Sequence, residues 1–288
     1  MEASIQLKLI LKASGWSQEE LARRLGVTFV TLNTWVNERS QPRKKAAEDI
    51  RILYFEIVGR EDVDITQLVL KKKVATKLTT TLGKITHDKE ILDKLTLYLT
   101  YHTNTIEGST MTLDDTKAVL FSHRTLRNRT QAEQAEARNH QAALLWLLGE
   151  LEHKDFVITE ELVRGLHLRL MNGIIDNAGQ YRNHGVRIMG SRVTVANYAK
   201  IQDLISGLVK DLSQPQTDII ERLARTHATF EKIHPFSDGN GRVGRLIMLA
   251  QAIKANLVPP LILKERKYAY YKYLELGQTK DNMLPLEM

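Results

Sequence analysis

Leucine, isoleucine and alanine recur at three- and four-residue spacing along most of this chain, a period that predicts helices nearly throughout. Ile5, Leu7, Leu9, Ile10 and Leu11 give a first amphipathic stretch over 5–13. Ser17 and Glu20 have capping-box spacing for a second helix, which turns Leu21, Ala22 and Leu25 inward and stops at Gly26. Thr28 caps a third, with Leu32 and Trp35 facing the core, and a fourth starts near Pro42, a residue suited to a first helical position. Two short helices joined by a tight glycine turn make a helix-turn-helix.

Residues 61–100 are helix-prone and lysine-rich and read as a solvated face. A helix runs from about Lys89 with Leu92, Leu95, Leu97, Leu99 and Ile106 available for burial. Gly108 ends it, and Thr112 with Asp115 caps the next. Glu107 falls on the last turn, where the helix dipole disfavours a carboxylate, so it needs a cationic partner. The helical period breaks clearly in one place. VRIM and RVTV, within 186–196, flank Gly190-Ser191, a pair suited to a type II′ hairpin turn. An isolated hairpin has no core of its own. It must pack on helices, and its free edge offers pairing to an extended peptide. The 217–233 stretch turns Ile220, Leu223, Ala224 and Phe230 inward, and Leu246 to Ile253 is apolar on nearly every side, the mark of a buried helix. The expected fold is mainly α: a helix-turn-helix bundle over 1–60, then an all-α domain over 61–288 with one β-hairpin flap.

Composition adds a few bounds. The 288 residues fit one large domain or two smaller ones. A balance of 41 Lys+Arg against 34 Asp+Glu leaves room for anionic partners. The absence of cysteine rules out disulfides and thiolate metal sites. Glu2 and lysines interrupt the N-terminal apolar run, and no long apolar span occurs, so neither a signal peptide nor a membrane partner is expected. The expected location is the cytoplasm.

The densest chemistry lies between the last two of these helices, in HPFSDGNGRVGR, residues 234–245. Gly239, Asn240 and Gly241 open the buried helix, whose unsatisfied N–H groups and positive dipole end make an anion site. Arg242 and Arg245, three apart, share a face. One histidine and one carboxylate precede them.

These twelve residues match without departure the signature of Fic-domain proteins, and the resemblance extends over about 61–288, taking in the Gly179-Gln180-Tyr181-Arg182 approach to the hairpin and the YYKYL segment near the C-terminus. It implies an α-helical fold with a hairpin flap and transfer of AMP from ATP to a Ser, Thr or Tyr hydroxyl of a target protein. His234 would be the general base, Asp238 would hold Mg²⁺, and Gly239, Asn240, Gly241, Arg242 and Arg245 would bind the phosphates. A phosphorylating branch of the family has lysine where Gly241 stands. Val186, Ile188, Val193 and Val195 would form the target-docking flap over 186–196. Tyr271 and Gln278 fall where relatives contact adenine. Thr103, Glu107 and Gly108, within a helix over about 89–108, resemble the family's inhibitory motif, whose glutamate pairs with the second arginine.

Residues 4–58 resemble the phage-repressor helix-turn-helix, with Gln18, Asn33, Thr34 and Arg43 as candidate DNA contacts. Phe29 and Val30 stand where amide or basic readers are common, and Glu38 replaces a frequent glycine. The sequence therefore leaves open a DNA-binding regulator with a nucleotide-responsive or self-modifying switch, and an enzyme that removes AMP. DNA and a second copy of the chain both remain open as partners.

Overall fold

The computed structural model describes residues 1–59, 62–122, 125–214 and 217–288; the expected domain boundary at 60/61 lies outside them. Two compact units divide the chain: Met1–Val63 with Leu263–Tyr273, and Asp64–Ile262 with Leu274–Met288.

In the first unit, α1 (Ala3–Ser14), α2 (Gln18–Arg24), α3 (Phe29–Val36) and α4 (Lys44–Ile57) close over Leu7, Ile10, Leu21, Leu32, Trp35 and Ile50. Ile5 is exposed, so the inner face of α1 is narrower than expected. The Ser17 hydroxyl accepts the Glu20 N–H at 3.1 Å, but the reciprocal half of the capping box does not form. Glu20 turns instead to Arg23 and Arg24, which stand three and four residues on and hold its carboxyl below the usual range despite the opposing cost of burial. Pro42 lies outside α4, whose N-cap is Arg43. Glu38 has φ 62, the left-handed conformation that explains the glycine common at that position.

The second unit contains α5 (Ile65–Ala75), α6 (Leu82–His87), α7 (Lys89–Glu107), α8 (Leu113–Phe121), α9 (Gln131–Leu151), α10 (Glu160–Met171), α11 (Ile201–Leu212), α12 (Ile219–Ile233), α13 (Asn240–Lys254) and α15 (Leu284–Glu287). The second half of α14 (Lys267–Lys280) also belongs to it, while the first half belongs to the other unit. Helix α13 is central: it packs against α7, α9, α10 and α12, and every residue from Leu246 to Ile253 is buried. Each fully buried Leu or Ile here stabilises by roughly 1.5–3 kcal/mol. Helix α7 departs from expectation. Its leucines are half-buried, and its most deeply buried positions include Thr96, Thr100, Thr103 and Asn104. Thr100 satisfies its hydroxyl on His140 Nδ1 at 2.8 Å, which lets a polar stripe face the interior.

The expected β-hairpin does not form. Among the described residues no strands pair beyond one isolated bridge, Thr79–Leu257. Inward and outward alternation survives, with Val193 buried and Val186, Ile188 and Val195 half-buried. The turn, however, closes from Ser191 N–H to Ile188 C=O at 3.3 Å, which puts Gly190, φ 77, at its second central position. A positive φ there belongs to an unprimed turn, which splays the two arms. Donors that a ladder would use go elsewhere: Val193 N–H to Ser191 Oγ at 3.1 Å and Ala196 N–H to Lys232 C=O at 3.2 Å.

Leu144 is fully buried in the main core of the second unit. Leu144→Ala should cost about 2–5 kcal/mol in urea unfolding, and a loss below about 1 kcal/mol would contradict tight packing at that point.

Candidate active site

Helix α12 ends at His234, whose N–H still bonds Phe230 C=O at 2.9 Å while its backbone turns left-handed, φ 51 and ψ 61. For a non-glycine residue this is an uncommon conformation, sustained only by its surroundings. Pro235 prevents the helix from continuing. Phe236 is fully buried, with its ring 3.7 Å from that of His167 and nearly parallel to it. Asn240 closes the loop: its Oδ1 accepts Phe236 N–H and its Nδ2 donates to Phe236 C=O, both at 2.9 Å. Its side-chain amide is thus spent on the loop, which leaves its backbone N–H to face an anion. Gly239 caps α13 at φ 78 with no side chain to cover the first-turn N–H groups. A Cβ there would stand 2.8 Å from Met171 Sδ, so the loop also needs glycine for space.

His234 Nδ1 lies 3.2 Å from Glu231 C=O. A carbonyl can only accept, so Nδ1 carries the proton and the Nε2 lone pair is available. Burial lowers the pKa of this imidazole, although the Glu231 carbonyl pulls the other way; Arg182 lowers it further, while Glu107 and Asp238 raise it. The ring is therefore neutral near pH 7, as a base must be.

Both arginines are held. Arg242 is buried, donating through Nη1 to Glu136 Oε1 at 2.9 Å and through Nη2 to Asp238 Oδ1 at 3.4 Å. Arg245 pairs through Nη2 with Glu107 and donates through Nε to Thr103 Oγ1 at 2.6 Å. The cation that Glu107 needed at its helix end is Arg245. A Cβ on Gly241 would fall inside contact distance of Glu107 Oε1 and 3.0 Å from Arg245 Nη1, so the pair sits directly on the glycine. Gly108 ends α7 at φ 113.

Residues 157–252 match the Fic/DOC family, and residues 7–52 match a helix-turn-helix family. The chain is a Fic/DOC domain protein with an N-terminal helix-turn-helix. It is 28% identical over 186 residues to "Protein adenylyltransferase Fic" of Aedes aegypti, covering 63% of this chain and 37% of that protein. Against "Protein adenylyltransferase fic-1" of Caenorhabditis elegans it is 30% identical over 188 residues, covering 63% and 36%. The chain thus spans little more than a third of these relatives' length. Its fold resembles the solved Fic-1 fragment of C. elegans, with TM-score 0.66, 22% identity and coverage of 93% of this chain and 79% of that one. A Fic-domain signaling protein of Bacteroides thetaiotaomicron gives TM-score 0.62 at 24% identity, covering 77% and 90%.

Of four further side chains at the Fic domain's site, three escaped sequence reasoning, and the fourth, Arg182, was legible only as part of the family resemblance, with no role attached. His167 Nδ1 accepts Gly179 N–H at 2.8 Å, so its Nε2 carries the proton and donates to Asp238 C=O at 3.0 Å, bracing the loop from α10. Glu136 anchors Arg242, and Arg182 bonds the His234 carbonyl through Nε at 2.7 Å. Glu231 lies buried with Oε2 3.9 Å from His234 Nδ1 and Oε1 without a partner. His167, Glu136 and Arg182 act through partners far along the chain, while Glu231 stands one helical turn before His234. Of the adenine candidates, Gln278 is buried and donates to Ala228 C=O at 3.1 Å. Tyr271 belongs to the first unit, its ring 5.2 Å from that of Tyr270.

The donor set suits Mg²⁺ only in part. No group of three or more His, Asp or Glu converges among the described residues, so a cage made by protein alone does not fit. The Asp238 side chain, 60% exposed, fits an ion completed by phosphate oxygens and water. No helix among the described residues is long and apolar enough to cross a membrane.

Burial pushes the Glu231 carboxyl up to about 8, with Glu107 adding to the rise and Arg245 opposing it. A carboxyl whose pKa is higher in the folded state favours folding at low pH and loses that contribution as pH rises. The stability of the unaltered chain should therefore fall from about pH 4.5 to about pH 8 relative to Glu231→Gln. Urea unfolding at several pH values checks this, and a flat difference would contradict it.

Proposed function

We propose that this Fic domain transfers AMP from ATP to a hydroxyl side chain of a target protein and is restrained by Glu107. The observation that carries the reading is the joining of a neutral base, His234, to an uncapped buried helix end, Gly239, through residues 235–238 alone. The substrate hydroxyl loses its proton to His234 Nε2 as its oxygen forms a bond to the α-phosphorus. The bond from that phosphorus to the bridging oxygen breaks, and pyrophosphate leaves. First-turn N–H groups from Asn240 to Arg242 suit the phosphate oxygens, and Arg242 and Arg245 supply positive charge. Asp238 would hold Mg²⁺, which supplies charge neutralisation at the phosphates. Such transfer depends on positioning and electrostatics, so no protein nucleophile is required. The splayed 186–196 segment presents unpaired main-chain groups to an extended target segment.

Glu107 restrains this chemistry by occupying Arg245 and adding negative charge above Gly241, where the outer phosphates would lie. Thr103 holds the same guanidinium from one helical turn away. α-Phosphate-labelled ATP with Mg²⁺ tests both points. Glu107→Gly should raise protein labelling by about tenfold or more, equivalent to about 1.4 kcal/mol. Adding His234→Ala should abolish it. A folded, ATP-binding Glu107→Gly protein without label would overturn self-directed transfer, and release of AMP from a labelled protein would favour removal as the main activity.

The first unit supports a second role, binding DNA. Asn33 Nδ2 bonds Gln18 Oε1 at 3.1 Å, coupling the first residue of α2 to the face of α3, while Arg43 stands exposed at the start of α4. Thr34 spends its hydroxyl on Thr31 C=O at 2.8 Å and Ser40 Oγ at 2.7 Å. Arg43→Ala should weaken duplex binding evenly across sequences and reduce the slope of log affinity against log salt by about 1. An unchanged slope would remove Arg43 from the interface.

A further inference from the structure

Arg182 is buried, yet among the described residues it forms no ion pair with a carboxylate. Every hydrogen bond its side chain makes goes to a main-chain carbonyl. Nε donates to His234 at 2.7 Å, Nη1 to His184 at 2.8 Å, and Nη2 to Ala196 at 2.6 Å and Ile233 at 3.4 Å. Its own N–H donates to Pro235 C=O at 2.9 Å. A buried cation without an anion is costly and persists only where its donors are fully used. The carbonyls it gathers come from two places. His184 and Ala196 bracket the flap segment, while Ile233, His234 and Pro235 form the turn that carries the base.

We propose that Arg182 is a positioning residue that clasps both ends of the flap to the left-handed turn at His234, so that target segment and base are held in one register. This rests on the transferase reading above. The flap has no ladder to fix its place, which leaves side-chain ties to do so. Glu275, a second tie, meets the turn, through Ser191 Oγ at 3.3 Å and Arg192 N–H at 3.4 Å. Arg182 reaches both arms and the base. Its planar fork directs donors at fixed angles, and lysine would keep the charge while losing that geometry. The charged groups acting on His234 are Arg182, Glu107 and Asp238, with the Glu231 carboxyl beside the ring, so keeping the charge also keeps the local field.

Hydrogen exchange on the full chain tests the clasp without requiring activity. In Arg182→Met and in Arg182→Lys, peptides covering 183–197 and 230–238 should both exchange at least about tenfold faster, while peptides from α9 stay unchanged. A response in only one segment, or in neither, overturns the proposal. If Arg182→Met does not fold, Arg182→Lys decides alone. Transfer is then measured in a Glu107→Gly background. There, Arg182→Lys should lower kcat about tenfold or more with KM for ATP unchanged, because no phosphate-binding group is altered. An unchanged kcat overturns the coupling to the base. If neither protein transfers AMP, the transferase reading fails by itself and the exchange result still decides the clasp.

Discussion

A helix buried on every side cannot also bury its own unsatisfied N–H groups. Helix α13 meets that constraint at Gly239, where no side chain caps the first turn. Whatever covers that end has to be an anion or water. In this structure the carboxylate of Glu107, brought by the last turn of α7, a position that is itself unfavourable for a negative charge, lies over Gly241 in that first turn. Each helix end thus presents the charge that the other lacks, and Arg245 joins them. The centre of the domain and the contact between α7 and α13 therefore express one electrostatic requirement.

The loop leading into α13 is held mainly by groups that bond main chain. The Asn240 amide closes it from inside, His167 braces it from α10, and Arg182 grips it from the flap. These bonds sustain the left-handed backbone of His234, which a histidine would not adopt on its own. The benefit is chemical: the ring tautomer is set by a backbone carbonyl, and the imidazole stays neutral. In the proposed transfer, base and phosphate cradle thus need little rearrangement when substrate arrives, which is the condition for electrostatic catalysis.

Much of this was legible where signals were local. The caps at Thr28 and Thr112, the end of α7 at Gly108 and the burial of Leu246–Ile253 follow from neighbours a few residues apart. The twelve-residue motif announced its helix end for the same reason. What failed were competitions that spacing cannot express. Glu20 had two arginines within reach as well as the cap. The alternation around Gly190 was sound, but a shift of one position in the turn separated the arms. Helix α7 buries Thr100 against His140, forty residues on, which shares a hydrogen bond with its hydroxyl. His167 and Glu136 had no signal at all, since each is defined by partners far along the chain, and Arg182 stood inside the family resemblance without showing which carbonyls it grips.

The flap is secured at its ends and at its turn, while Val186, Arg187 and Val195 between those ties make no backbone ladder. Residues there answer to no partner strand, so register imposes no toll on changing them. Under the proposed transfer, descendants of this chain could vary the flap's middle, and with it the target segment it docks, while inheriting the 234–245 loop intact. In that proposal recognition and chemistry are heritable separately because the bonds of one guanidinium, rather than a sheet, join them.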